Sequence, residues 1–241
     1  MARSFEIVED KLRETEFFLD QLRATSRFSS DARHYFSAFV SAARSVTFVL
    51  QATMHGVDAF EAWYADAQAE LKVDALAPFF AEIRNDVVHT GLNPLNQVTL
   101  DHLREDMSRQ MHQHARSHVL VLPAPQLDGS TVLADAVQVS TLYFISLVKV
   151  VFGCYDRFRC VVDPRWHFTH NNFSAMGKTF EDAVAELGFP PAWASCAPPG
   201  NDGWRALRAL QPACRINDVF RKYVGREILD PADRCGSAAD A

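Results

Sequence analysis

Residues 84–89 read Arg-Asn-Asp-Val-Val-His, and no other stretch of the chain carries an equally plausible chemistry. The guanidinium group of Arg84 can hold a phosphate, or the negative charge that builds up on one. The imidazole of His89 can move a proton near neutral pH. Asn85 adds a polar group that can orient a substrate or the imidazole. The functional interpretation therefore depends on these six positions.

The segment lies on the last turns of a helix predicted over residues 74–90. Five apolar residues should form its core face: Leu76, Phe79, Phe80, Ile83 and Val87. Arg84 and His89 are about 140° apart on an ideal helix, so one regular helix cannot direct both at the same atom. Either the helix unwinds around His89, or a second copy of this surface completes the site. Val88 favours the second copy, because it is an apolar residue in a polar arc.

A purely structural role for these residues is the alternative. Arg84 could pair with Asp86 or another acid on the surface. His89 could cap the helix, because a protonated histidine in the last turn interacts favourably with the C-terminal carbonyl groups. Gly91 is suited to a C-cap, and Asn93-Pro94 prevents the helix from continuing.

Helical periodicity dominates the rest of the chain. Three helices should precede the one at 74–90: an amphipathic helix over 4–24, a central apolar helix from Ser29–Asp31 to about Gln51, and an aromatic helix containing Phe60, Trp63, Tyr64, Ala67 and Leu71. Short links between them predict an antiparallel bundle. Further elements should be a polar helix over 98–115, a small β-hairpin near 117–133 with a turn at Asp128-Gly129, and an apolar helix over 134–159.

The sequence changes character after Asp163-Pro164. We expect a bundle domain over 1–162 and a mostly helical C-terminal extension over 163–230. The extension should contain a helix over 174–187, an irregular proline-rich stretch, and one or two helices over 204–226. Residues 231–241 have the composition of a disordered tail.

The second helix with SAFVSAARSV, the aromatic third helix and FFAEIRNDVVHTG at the end of the fourth together resemble the HEPN superfamily. The resemblance covers roughly residues 4–160. HEPN proteins are all-helical bundles with an Arg-polar-x3-His motif, which Arg84, Asn85 and His89 match. The resemblance implies an all-α, up-and-down bundle that acts as a homodimeric, metal-independent endoribonuclease without a cofactor, in a stress, toxin–antitoxin or phage-defence setting.

The resemblance also implies a role for each motif residue. His89 would act as general base on a ribose 2′-hydroxyl or as general acid to the leaving oxygen. Arg84 would stabilise the phosphorane-like transition state, Asn85 would position the phosphate or the imidazole, and the product would be a cyclic phosphate. Thr90 and Gly91 follow His89 where toxin members carry a tyrosine, which argues against modification by an antitoxin, although another cognate regulator is possible. The alternative is a catalytically inert HEPN-like module that binds protein, nucleotide or RNA.

Several other residues are weaker candidates. Arg44 lies on a polar stripe with Ser37 and Ser41, where it either pairs with Glu82 or Asp86 or supplies a second positive group for binding. A solvated surface is the preferred interpretation of the histidines His112, His114 and His118, and packing or capping that of His167 and His170. The basic residues of 204–226 either contact RNA or form an exposed face, whereas Trp204 and Phe220 should be core.

Composition restricts the class of protein. A net charge of −6 provides no overall field for gathering nucleic acid. Five cysteines without a Cys-x-x-Cys pair fit a reducing compartment better than a disulfide framework or a zinc site. The N-terminus lacks the apolar stretch of a signal peptide. The longest apolar run, Thr141 to Tyr155, is too short to span a bilayer. We therefore expect a cytoplasmic protein with no membrane contact.

Overall fold

The structure, a computed structural model, describes residues 4–25, 29–99, 118–125, 130–198 and 200–231. Three predicted features lie outside these ranges: nearly all of the helix over 98–115, the Asp128-Gly129 turn, and the tail beyond residue 231.

The described residues are mostly helical, with one small sheet, as predicted. The first part of the chain contains α1 (Glu6–Ala24), α2 (Ser30–Met54), α3 (Phe60–Val73), α4 (Leu76–His89), β1 (Asn96–Thr99), β2 (His118–Pro125), β3 (Thr131–Asp135) and α5 (Ala136–Arg157). The later part contains α6 (Arg159–Val162), α7 (Pro164–His167), α8 (His170–Ala175), α9 (Phe180–Glu186), a 3-10 helix (Pro191–Cys196), α10 (Asn201–Ala209) and α11 (Asn217–Val224).

The chain forms two compact units. One comprises Asp10–Val150, and the other comprises Met1–Glu9 together with Val151–Ala241. We call them the central unit and the terminal unit. The domain boundary predicted after residue 162 stays a prediction.

Apolar side chains on α2 and α4 form much of the core of the central unit. Ser29 caps α2 by accepting a hydrogen bond from the Ala32 amide, so the helix begins within the predicted range Ser29–Asp31. Phe80 on α4 packs against Phe36 and Phe39 of α2, with ring centroids 6.5 and 6.0 Å apart. The buried part of α4 is narrower than expected, because only Phe80 and Ile83 are fully buried.

The β-hairpin prediction is confirmed, but the sheet has one strand more. β2 pairs antiparallel with β3, with Val121 opposite Asp135, and β1 pairs antiparallel with the other edge of β2, with Asn96 opposite Val121. β1 was not predicted, because four residues are too few to establish an alternating pattern of apolar and polar residues. Leu120, Val121 and Leu122 are buried, and β2 packs against α4.

The terminal unit has its own apolar cluster. Its buried members are Phe168, Phe173, Ala183, Val184, Trp204 and Leu207, which confirms Trp204 as core; Phe220 is likewise fully buried. A helix lies within the range 174–187, as predicted, but its predicted start is wrong. α8 ends at Ala175 and α9 begins only at Phe180, because Thr179 and Asp182 form a capping box that starts a new helix. Within 204–226 the structure has two helices.

Helix α5 is long and apolar enough to cross a membrane, judged by length and composition alone. Half of its most apolar stretch is buried inside the protein, and Phe144, Leu147 and Val148 are almost completely inaccessible. This burial is the pattern of a core helix, as the sequence predicted.

Candidate functional site

The end of α4 is a regular helix with a defined stop. The Thr90 amide donates to the carbonyl oxygen of Asp86 at 2.9 Å, and the Thr90 hydroxyl donates to the same oxygen at 2.7 Å. The Leu92 amide in turn donates to the Thr90 hydroxyl oxygen. Gly91 then takes a φ of 72°, a left-handed conformation that glycine adopts without steric cost. The hydrogen bonds of Thr90 and the left-handed conformation of Gly91 therefore end α4 directly after His89.

The helix does not unwind around His89, which was one of the two predicted ways of bringing Arg84 and His89 together. Both residues keep helical geometry, so they point in directions about 140° apart. In the described part of the chain the structure records no hydrogen bond between them. A single copy of the chain thus presents the two groups side by side on the surface without directing them at one atom.

Arg84 and Asn85 are coupled to each other. Arg84 is half-buried, and its Nη1 donates a hydrogen bond to Oδ1 of the exposed Asn85 at 3.2 Å. A guanidinium group has five N–H donors in a planar fork, so this bond restrains the group and leaves donors for an anion. Asn85 was expected to orient a phosphate or the imidazole; here it orients the arginine.

His89 and the apolar residues beside it are exposed. The imidazole lies on the solvent side of α4, and the exposed fraction is 49 % for Val88 and 65 % for Leu92. Val88 and Leu92 therefore add exposed apolar surface beside the polar groups of this helix end. We call Arg84, Asn85, Val88, His89 and Leu92 the α4 surface.

Asn93 anchors the segment that follows the α4 surface. Its Nδ2 donates to the Arg33 carbonyl oxygen at 3.0 Å and to the Ser37 hydroxyl at 2.9 Å, and its Oδ1 accepts from the Leu95 amide. The sequence identified Asn93 only as part of a helix stop. Its anchoring role depends on α2, which is more than fifty residues away in the chain.

Arg44 lies on α2, apart from the α4 surface. It is about 10 Å further along the α2 axis than Ser37. Its guanidinium carbon is 4.4 Å from the ring centroid of Phe48, and its Nη1 donates to the Thr47 hydroxyl. Among the described residues it makes no ion pair with Glu82 or Asp86, the partners considered from sequence. Nothing in the structure places Arg44 on the α4 surface.

The surroundings of Arg44 place it near the start of α4. Burial raises the pKa of Tyr143 to about 12; the positive charge of Arg44 opposes this rise, and the negative charge of Asp74 adds to it. Tyr143 stacks on Phe80 with centroids 4.5 Å apart, and Asp74 immediately precedes α4. Contacts therefore progress in opposite directions along α2 and α4, so these two helices are antiparallel, whereas the prediction concerned only helices that follow one another in the chain.

The other candidate histidines differ from one another. His112, His114 and the side chain of His118 lie outside the described residues. His167 is buried, and its Nε2 lies 2.6 Å from Oε1 of Glu186. His170 contacts the Ser174 hydroxyl. No group of three or more metal-binding side chains occurs within the described ranges.

The basic residues of 204–226 mostly have partners within the protein. Arg205 pairs with Asp202, Arg215 with Glu6, and Arg221 with Glu227. The guanidinium of Arg226 lies over the Phe152 ring. These contacts favour the interpretation as a balanced protein surface over that of a free patch for nucleic acid.

One comparison with known proteins gives a match. A family model described as Bacteriophage lambda protein ea47 matches residues 9–104. The matched range begins in α1, extends past β1, and contains Arg44 and the whole 84–89 segment. No curated protein and no solved structure matches the chain.

Proposed function

We propose that the chain is an HEPN-like, metal-independent endoribonuclease that acts as a homodimer through the α4 surface. The observation that carries the proposal is that a half-buried guanidinium, an exposed carboxamide and an exposed imidazole lie at one helix end, around exposed apolar residues. We place the protein in the cytoplasm, in a toxin–antitoxin or phage-defence setting. The similarity to a bacteriophage family is compatible with that setting.

The divergence of Arg84 and His89 is the reason for proposing a dimer. An isologous pair places the same patch of both copies face to face, so Arg84 of one copy can approach His89 of the other. Two such pairs would line one groove with a twofold axis through it. Val88 and Leu92 supply apolar surface that the contact would bury, and burial of such surface favours association.

The proposed reaction needs proton transfer and stabilisation of negative charge on the phosphate. His89 would take the proton from a ribose 2′-hydroxyl, whose oxygen attacks the adjacent phosphorus, and a histidine would return a proton to the leaving 5′-oxygen. Arg84, restrained by Asn85, would stabilise the additional negative charge on the phosphoryl oxygens. The products are a 2′,3′-cyclic phosphate and a free 5′-hydroxyl.

Incubation of the purified protein with structured RNA in the presence of EDTA tests the catalytic proposal. We expect cutting that ends in cyclic phosphates, and a loss of about 100-fold or more for His89→Ala and for Arg84→Ala. His55→Ala and Arg205→Ala are matched controls, because both residues are exposed and lie outside the α4 surface. Full activity in both site variants would show that the assigned site is wrong.

The dimer has a separate test. Val88→Asp would place two carboxylates in the proposed contact, so we expect light scattering to show half the mass of the unaltered protein. Val73→Asp is the matched control, because Val73 is an 85 % exposed apolar residue at the end of α3. If Val88→Asp leaves the mass unchanged, or if the unaltered protein is monomeric, the α4 surface is not the interface.

An inert binding module is the second candidate function. Glu82 and Asp86 are both exposed and lie next to His89 around the helix, where two carboxylates disfavour an RNA backbone. This function predicts that the unaltered protein leaves RNA uncut while Arg84→Ala and His89→Ala still weaken binding of a partner or of RNA.

A further inference from the structure

The terminal unit contains a cavity that the proposed function does not use. Its volume is about 260 Å³, slightly below the range typical of drug-sized ligands, so a smaller molecule would fill it. Its walls are largely apolar or aromatic: Phe5, Tyr155, Val162, Pro164 and Pro212. The rings of Phe5 and Tyr155 meet edge to face with centroids 5.4 Å apart, which gives the wall a fixed shape.

The deepest charged group in the cavity is a carboxylate. Glu9 lines the cavity and is only 4 % exposed, and its Oε1 accepts a hydrogen bond from the Arg215 amide at 3.3 Å. The guanidinium of Arg215 lies further out, where it is 45 % exposed and 3.8 Å from Glu6. Negative charge is thus buried at the base of the cavity, and positive charge is held at its rim.

Neighbouring groups add to the negative character of this region. Asp163, directly before the wall residue Pro164, is 3 % exposed, and burial raises its pKa to about 6. Burial also raises the pKa of the Tyr155 hydroxyl, and the carboxylates of Asp163 and Glu9 act in the same direction. A ligand with a positive group would interact favourably with the carboxylates of Glu9 and Asp163, whereas these carboxylates would repel an anion.

From this arrangement we propose that the cavity binds a small primary amine with an apolar body, its ammonium group on Glu9 and its body against the wall that Phe5 and Tyr155 form together. The apolar walls would bury the body, and the buried carboxylate would provide the charge-assisted hydrogen bond that selects the cation. The proposal is independent of the α4 surface and of any reaction on RNA.

Calorimetry with the full chain and three compounds of similar shape tests this proposal. 2-Phenylethylamine carries the ammonium group, 2-phenylethanol is its uncharged counterpart, and 3-phenylpropanoate carries an anion. We expect the amine to bind at least tenfold more tightly than the alcohol, and the anion to bind most weakly. Equal binding of amine and alcohol, tighter binding of the anion, or no binding of the amine at millimolar concentration would overturn the proposal.

Two variants locate the binding. Glu9→Gln keeps an oxygen that can accept from the Arg215 amide but removes the charge, so the preference for the amine over the alcohol should fall to about onefold. Ala213→Leu narrows the cavity from its exposed rim without altering a charge, and it should weaken both amine and alcohol. Glu14→Gln, an exposed acid on the same helix, is the control and should bind as the unaltered protein does. If neither Glu9→Gln nor Ala213→Leu changes amine binding, the cavity is not the site.

Discussion

Two histidines of this chain lie in opposite environments. His89, at the end of α4, is exposed, and in the described part of the chain no hydrogen bond to it is recorded. His167, in the terminal unit, is 3 % exposed and is held by Glu186 through Nε2 and by the Cys160 carbonyl oxygen near Nδ1. Phe168 and Phe173 meet its ring edge to face. A histidine alone therefore indicates little about function; its surroundings decide what it can do.

The groups that contact His167 are held by interactions within the protein, unlike those of the α4 surface. Burial alone would raise the pKa of the Glu186 carboxyl, but the hydrogen bond and charge of His167 oppose this effect, and the pKa is lowered. Lys178 lies 3.4 Å from the second oxygen of Glu186. All of these groups stabilise one another inside the fold, whereas the groups of the α4 surface remain available to a second molecule.

The largest expected effect is a difference in stability between the two histidines. His167→Ala should lower the free energy of unfolding by about 3–5 kcal/mol, because it leaves a mostly buried carboxylate without its main partner. His89→Ala should change it by less than about 0.5 kcal/mol, because the side chain is exposed. Urea denaturation of both variants measures the difference. Similar losses in the two variants would contradict the difference in environment between the two histidines.

A second, smaller effect is a pH dependence from Asp163. Its pKa is about 6 in the folded protein against an ordinary value of 3.8, so the folded state binds the proton more tightly. The corresponding stability is complete below about pH 4 and is lost as pH rises through 6. Each pKa unit is worth about 1.4 kcal/mol, so the loss should reach about 3 kcal/mol.

Asp163→Asn checks this dependence. Asparagine keeps an oxygen for the Arg165 amide, which Asp163 caps at 2.8 Å, but it cannot ionise. The stability advantage of Asp163→Asn over the unaltered protein should therefore grow between pH 4 and pH 7. Asp163→Ala separates the ionisation of Asp163 from its capping of the Arg165 amide, because alanine removes both. The lost cap should cost about 1 kcal/mol. Parallel stability curves for Asp163→Asn and the unaltered protein would be the contrary result.

The smallest expected effect concerns the anchor beside the α4 surface. Asn93→Ala removes three hydrogen bonds from a partly buried loop and should cost about 1–2 kcal/mol. Faster hydrogen exchange at the Leu95 amide would locate the change. Asn96→Ala is the control, because Asn96 is exposed and its side chain accepts a hydrogen bond from the amide of its own neighbour Gln97, so its cost should be near zero.

Sequence periodicity predicted the long helices well. The helix over 4–24 was expected to be amphipathic, and its apolar residues Val8, Leu12, Leu19 and Leu22 are all buried. Errors occurred where elements are short. The strand Asn96–Thr99 and the break between α8 and α9 depend on a few residues each, and a capping box or a strand partner decided them.

The candidate site was only partly accessible from sequence. Helical geometry was sufficient to expect that Arg84 and His89 diverge, and the structure keeps that divergence. The bond between Arg84 and Asn85 was not foreseen, because it depends on side-chain conformations that residue spacing does not specify. The position of Arg44 was not foreseen either, because it follows from how α2 packs against its neighbours.

The amino-acid sequence by itself determined where the long helices form, which residues they bury, and that one helix ends in Arg-Asn-x3-His, because these properties depend on local spacing and on residue types. Tertiary structure decided which of two similar histidines is exposed, which loop Asn93 anchors, and that Glu9 lies at the base of a cavity. Those outcomes join residues far apart in the chain, and only the packed fold brings them into contact.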